Sequence, residues 1–341
     1  MKNKKYLFMS ILFLIIIFLT YYNIFNKNDI DIVFHNLGKL SVWAVLLCIL
    51  IIVIYFLLHA LYMKITLNSL KVNISFFKCI FYYLVEFYFS GITPSSTGGQ
   101  PVELYYMSKD NIPIRKSYIT LMLNTIYFKI IIIALGITSF FFIKPYLLNN
   151  IIYLVFFILG LIVDIILTIL FLLLIFKQSF IKKVITAFVK KFKKIKFLNN
   201  RFKNFNINSS LTKYKNELVY IKNNKKIVVI DFFITLIQRI LLFSIAYIIY
   251  RSFGFTKYSY IDLLMIQVSV QVAIEALPLP GGSGLSENMF KTMFITVFGI
   301  NLSNIAMIFT RTFSFYIPLI ASGIIILIDK IIKKAKNIRK T

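Results

Sequence analysis

The chain has 341 residues, of which 59% are hydrophobic and 15% charged, and its mean hydropathy is +0.83. Soluble domains carry roughly 45–50% apolar residues, so an ordinary soluble fold is excluded and the bilayer stands in for a core. The net charge of +27 would suggest nucleic acid in a soluble protein, whereas here its position along the chain decides its meaning.

A membrane-crossing helix needs about 20 mostly apolar residues. Tyr6–Phe25 is the first such run. Lys2, Lys4 and Lys5 precede it as in a signal peptide, but it is long for one and no small-residue cleavage site follows at Tyr21-Tyr22-Asn23, so it reads as a retained span. Leu40–Met63 is the second. Ile74–Met107 is apolar but broken by the polar stretch Ser90 to Glu103, which holds Pro94, Gly98 and Gly99. Ser117–Ile143 and Ile151–Phe176 follow as full runs. Lys177–Lys226 then carries 15 basic residues and a single acid, Glu217. Phe180, Val184, Phe188, Phe192 and Ile195 recur there at helical spacing among lysines, the pattern of a basic helix lying on an anionic leaflet. Ile227–Tyr250 is the fifth full run, and Leu302–Ile328 the sixth. Between them Ile261–Ile300 is broken by Leu277 to Glu287, which holds Pro278, Pro280, Gly281, Gly282 and Gly284.

Basic residues orient the chain, since they collect on the cytoplasmic side. Placing the N-terminus, Lys64–Lys78, Lys109–Lys116, Lys177–Lys226 and Lys330–Lys340 inside puts 30 of the 39 basic residues there. Both termini are then cytoplasmic, and each broken segment enters and leaves on one side, Ile74–Met107 from the inside and Ile261–Ile300 from the outside. The expected fold is all-α, with six full spans and two re-entrant helical hairpins in an inverted-topology repeat. Residues 1–150 form the first repeat and 151–341 the second, which includes the basic loop 177–226. An eight-span arrangement, with both breaks in water, is the alternative.

The breaks carry the functional signal. Each has a Pro, a Gly-Gly pair, and a Glu shortly after it, Glu103 or Glu287. Irregular backbone at membrane depth survives only when buried in protein or lining a wet cavity, and paired broken helices in inverted repeats are how secondary transporters hold substrate near the midplane. A Gly-Gly break before a helix also presents N–H groups suited to an anion. The ionisable residues inside apolar segments are Glu86, Lys129, Asp164, Asp231, Arg239, Glu275 and Arg311; such groups usually face a cavity or a partner. Arg binds phosphate through two parallel hydrogen bonds that Lys cannot make. Gly98, Gly99, Glu103, Arg239, Gly281, Gly282, Glu287 and Arg311 are therefore the candidate substrate-binding set, with Arg239 and Arg311 on a headgroup phosphate and Glu103 or Glu287 facing a cation or a proton. Asp231 and Arg239, two turns apart, should share a helix face. Lys129 is a weaker candidate because its stem can snorkel, and the bland reading of all these charges is that they pair with one another to lock helices.

No P-loop, G-x-S-x-G or H-E-x-x-H motif occurs, and His35 and His59 stand apart, so no catalytic residue, metal or cofactor is expected and an ATP-driven pump is disfavoured. His59 reads as a core histidine, and Cys48 and Cys79 as packing residues.

Pro278 to Glu287, Pro94 to Glu103, and Thr310-Arg311 followed by Pro318 resemble the membrane region of the lysylphosphatidylglycerol synthase (multiple peptide resistance factor) family. The resemblance covers nearly the whole chain. In full-length members it implies a soluble acyltransferase that moves lysine from lysyl-tRNA to phosphatidylglycerol, and a membrane region that flips the product. No acyltransferase is expected in these residues. The expected function is a flippase-like lipid translocase of the cell membrane for an anionic or aminoacylated phospholipid such as lysylphosphatidylglycerol. The alternative is the membrane component of a lysyl-tRNA-dependent phosphatidylglycerol lysyltransferase or another lipid-modifying transferase. Expected partners are membrane phospholipids and anionic headgroups at the cytoplasmic face, with a separate synthase subunit or a second copy of the chain as further candidates; nucleic acid is not expected.

Overall fold

The computed structural model describes residues 40–93, 96–148, 150–177, 212, 215–219, 223–275 and 285–338. Tyr6–Phe25, the expected surface helix around Phe180–Phe197, Gly281, Gly282 and the Glu287 side chain lie outside the described residues.

The described residues are helical: α1 (Val42–Ser69), α2 (Phe76–Gly91), α3 (Gly99–Lys109), α4 (Ile114–Leu148), α5 (Ile151–Phe176), α6 (Lys225–Ser252), α7 (Tyr260–Ile274), α8 (Leu285–Arg311) and α9 (Ile317–Ile338), with a π-helical turn at Thr312–Tyr316 joining the last two. Five helices are long and apolar enough to cross a membrane by length and composition: α1, α4, α5, α6 and the continuous stretch Leu302–Lys333. These are five of the six expected full runs; α5 coincides with its apolar stretch and the other four are a few residues longer. Helix ends follow local chemistry. Ser75 accepts a hydrogen bond from the Lys78 N–H, and Asn150 one from the Tyr153 N–H; Ser259 and Asp262 cap each other at the start of α7. Lys71 and Asn111 sit in the left-handed region just after α1 and α3. There the Val72 N–H reaches the Leu67 carbonyl and the Ile112 N–H the Met107 carbonyl, closing both helices in the same way.

The two interrupted regions fold as helix pairs. α2 has 16 residues and α3 has 11, about 24 and 17 Å at 1.5 Å per residue, against a hydrocarbon layer of about 30 Å. The chain returns to where it set out: Lys78 near the start of α2 is 3.1 Å from Asp110 at the end of α3, and the Tyr82 hydroxyl donates to the same carboxylate. The second pair behaves alike. The Tyr258 hydroxyl, just before α7, donates to the Thr296 carbonyl in α8 at 3.3 Å. Three residues later the α8 ladder breaks at Gly299, whose φ of 76° is the left-handed region that favours glycine. The chain then continues into the last long helix.

α1 and α6 form an antiparallel pair along their whole length. Ser252 accepts from the Ser41 N–H at one end, Gln238 donates to the Tyr55 carbonyl in the middle, and Thr66 donates to Asp231 at the other end. Around this pair the neighbours exchange partners. α2 packs on α1 and on α9, whereas α7 packs on α6 and on α4. In both cases the short helix docks on a long helix distant in sequence, α9 for α2 and α4 for α7. A glycine of that long helix admits it: a Cβ on Gly323 would lie 2.7 Å from Tyr88 of α2, and one on Gly136 would lie 3.0 Å from Val272 of α7. α5 and α7 also approach closely: a Cβ on Gly160 would stand 1.8 Å from the Val272 carbonyl oxygen.

Candidate functional site

At the first break, α2 ends and α3 begins within a cluster of polar groups. Ser90 donates to Glu86 Oε1 at 2.8 Å and to the Ser96 carbonyl at 3.2 Å. The Gly98 N–H donates to Thr93 Oγ1 at 2.9 Å, so this expected anion donor is already used by the break's own backbone-supporting threonine. Gly99 is required by space: a Cβ there would be 2.0 Å from Ser90 Oγ and 2.6 Å from the Glu86 carbonyl oxygen. One residue on, Gln100 reaches Thr125 of α4 at 2.6 Å. Glu103 is wholly buried, and neither of its carboxylate oxygens has a hydrogen-bond partner among the described residues. Glu86 acts on it electrostatically from α2.

Arg239 comes to this cluster from α6. Its guanidinium lies 4.2 Å from the Phe128 ring centroid and 5.6 Å from that of Tyr55, and Nη1 donates to the Tyr55 hydroxyl at 3.0 Å. That hydroxyl also accepts from Tyr83, whose ring stacks on His59 at 3.4 Å. Arg239 interacts electrostatically with Glu86, while its Nε is buried with no hydrogen-bond partner among the described residues. Two aromatic side chains thus flank the cation, with donors in hand. As their spacing suggested, Asp231 and Arg239 share a face, both meeting α1.

Phe128 also borders a second cluster. Lys129 Nζ sits 5.5 Å from that ring, 2.5 Å from Asp164 of α5 and 2.8 Å from Glu275, which caps α7 at the edge of the second break. Lys129 does not snorkel: its side chain is 8% exposed, because two carboxylates hold it inside. Glu275 Oε1 accepts from Gln271 at 3.2 Å. Here the mutual pairing of intramembrane charges is realised.

Arg311 ends α8 with its guanidinium 4.5 Å from the Phe315 centroid and 5.9 Å from that of Tyr316, both in the π-helical turn. Phe315 in turn meets Phe87, and a Cβ on Gly91 would touch it at 3.4 Å. Arg311 is thereby connected to the end of α2 and the first break; its expected proximity to Gly281, Gly282 and Glu287 falls outside the described residues.

The candidate set therefore divides. Gly98, Gly99, Glu103 and Arg239 gather around the first break, and Arg311 reaches it through Phe315. Glu86, Tyr55, Asp164, Lys129 and Glu275 join the polar centre without having been in that set. Glu86 and Ser90 were legible as an i, i+4 pair, whereas the partners of Lys129 were not.

The family described as lysylphosphatidylglycerol synthase TM region matches residues 7–322. The chain belongs to that family. Its match runs across all the described long helices up to the first turns of α9, and includes both breaks and every intramembrane charge described above. Family membership assigns a multi-pass membrane protein with a role in membrane lipid chemistry or transport. Searches of curated proteins and of solved structures find no match.

Proposed function

We propose that the chain is a lipid translocase of the cell membrane that moves an anionic or aminoacylated phospholipid, such as lysylphosphatidylglycerol, between leaflets. The observation that carries this reading is Arg239, a guanidinium clamped between Phe128 and Tyr55 with its Nε buried and unpartnered beside the first break. A headgroup phosphate supplies the acceptors such a cation lacks. Arg311 serves a second phosphate position along the path, and the buried Glu103 serves a headgroup ammonium or a proton.

The architecture supports alternating access. The exchange of packing partners between α2 with α9 and α7 with α4 is what a pseudo-two-fold axis in the membrane plane produces. Short helix pairs whose ends meet, at Lys78 with Asp110 and at Tyr258 with Thr296, fit re-entrant hairpins entering from opposite faces. With Tyr6–Phe25 counted, the proposed arrangement has six spans, two hairpins and cytoplasmic termini.

The test is lipid movement in vesicles containing only this purified chain, with fluorescent phosphatidylglycerol and lysylphosphatidylglycerol placed in one leaflet and quenched from outside. Wild type is expected to redistribute the label, and Arg239→Ala to lose most of that activity. If wild type leaves both lipids in place but supports lysyl transfer when a separate catalytic chain and lysyl-tRNA are added, the transferase-component reading replaces translocation.

A further inference from the structure

We infer that Lys129, Asp164 and Glu275 form a proton-binding site that couples lipid movement to proton flux, with Glu275 as the group that gains and loses the proton. This rests on the translocase reading and names its coupling ion.

The stoichiometry of the cluster is the starting point. One ammonium meets two carboxylates among apolar helices, so the fully ionised triad carries an excess negative charge, which is costly inside a membrane protein. One proton removes it. Among the described residues, the charged groups brought in by the packed elements do not remove it by contact: α4 supplies Lys129 itself, α5 supplies Asp164, and from α6 Arg239 is turned onto Phe128 and Tyr55. On α8, Lys291 is exposed and Arg311 is seated over Phe315 and Tyr316. Tyr153 of α5 faces α7 too, but its hydroxyl is engaged with Ser269.

The two carboxylates are not equivalent. Asp164 is wholly buried near the middle of α5 and holds Lys129 through Oδ1. Glu275 is 23% exposed in its side chain and ends α7, so it is the member that solvent can reach. Both its oxygens accept from donors that have no acceptor to offer in that geometry, the Lys129 ammonium on Oε2 and the Gln271 amide nitrogen on Oε1. A protonated Glu275 loses the charge that holds the ammonium, and its new O–H crowds a carboxyl edge that already faces two donors. When water delivers a proton to Glu275, that proton forms the new O–H and the Glu275 to Lys129 bridge opens. Lys129 stays on Asp164. The Glu275 carboxyl is then freed from α4, while the last turn of α7 stays docked on α4 and α5 at Val272, against Gly136 and Gly160. Loss of the proton to the other side closes the bridge again. A bistable contact at a broken helix, biased by one proton, is the element a coupled transporter requires.

Two measurements test this. Infrared difference spectra of the wild-type protein between acid and neutral pH are expected to show the carbonyl band of a buried carboxylic acid that titrates, and Glu275→Gln is expected to lose it; absence of such a band, or its persistence in Glu275→Gln, overturns the proton site. In vesicles of phosphatidylcholine with fluorescent phosphatidylglycerol, an imposed pH difference of one unit is expected to skew the steady-state distribution by up to about tenfold for one proton per lipid. Glu275→Gln is expected not to follow the gradient. A wild-type distribution indifferent to the gradient, or a Glu275→Gln distribution that still follows it, overturns the coupling. If wild type moves no lipid at all yet the band titrates and disappears in Glu275→Gln, the translocase reading fails and the proton site stands.

Discussion

Lys129 of α4 bridges Asp164 of α5 and Glu275 of α7, at 2.5 and 2.8 Å, and so joins three helices through one ammonium group. Removing one partner of a buried ion pair leaves the other charge uncompensated and typically costs about 3–5 kcal/mol. Lys129→Met should lower the thermal midpoint in detergent sharply, since it strands two carboxylates. Lys129→Met combined with Asp164→Asn and Glu275→Gln should recover much of the loss. A triple variant as unstable as the single one would show that packing of the Lys stem, and not its charge, holds the helices.

Gly99→Ala is expected to disrupt the first break. Its Cβ would overlap Ser90 Oγ, which can turn away, but also the Glu86 backbone oxygen at 2.6 Å, which cannot. Overpacking of this kind costs about 1–3 kcal/mol. Adding Ser90→Ala should therefore fail to restore either stability or lipid movement. Full rescue by Ser90→Ala would mean that α2 shifts freely against α3.

The long helices were legible because a run of about 20 apolar residues has few other fates, and the breaks were legible because polar Gly-Gly backbone inside such a run needs a reason. What stayed hidden is long-range. Lys129 is 35 residues from Asp164 and 146 from Glu275, and nothing local in its span marks it as doubly paired rather than snorkelling. Arg239 was recognisable as a costly charge, yet its clamp uses Tyr55 from 184 residues away. The kink at Gly299 and the π-helical turn after Arg311 were not foreseen either, because a single glycine in an apolar run and a change of hydrogen-bond register leave no periodicity to read. Gly98 was expected to offer its N–H to an anion; the nearby Thr93 takes it.

The closure of the first helix pair should weaken in acid. Burial pushes the Asp110 carboxyl up, but the Tyr82 hydroxyl and the Lys78 ammonium outweigh it and hold the group below its usual value. A lowered carboxyl contributes stability above its unfolded value of about 3.9 and loses it as pH falls through the folded one. The side chains of Lys78 and Asp110 are 49% and 34% exposed, so the contribution is at most about 1 kcal/mol. Asp110→Asn should lower the thermal midpoint slightly at neutral pH and converge with wild type below the usual carboxylate range. A constant difference across pH would assign the effect to shape instead.

Cysteine labelling separates re-entrant hairpins from eight spans. Cys48 and Cys79 are buried and free, so introduced cysteines can be read above a low background. An impermeant thiol reagent outside intact cells should react at Lys257→Cys but not at Asn111→Cys, and it should react poorly at Thr97→Cys in the first break. Eight spans would place Thr97 in external water, where labelling as fast as at Lys257→Cys would be seen. Labelling at a cysteine near Lys194 from outside would invert the whole topology.

Arg311 separates a phosphate site from a structural cation most directly. It lies where α8 gives way to the π-helical turn, and π-helical turns are frequently found at functional sites. Its guanidinium is positioned by Phe315, which also packs against Phe87 at the end of α2, so a ligand on Arg311 would be felt at the first break. A hydrogen bond to a charged group contributes about 1.5–3 kcal/mol, so Arg311→Ala is expected to slow lipid movement roughly tenfold to a hundredfold. Arg311→Lys keeps the charge and a cation over the ring but loses the planar fork; if the phosphate contact is bidentate it should fall between wild type and Arg311→Ala. Should both variants fold and move lipid at the wild-type rate, Arg311 only braces the π-helical turn, and the phosphate path must run through Arg239 alone.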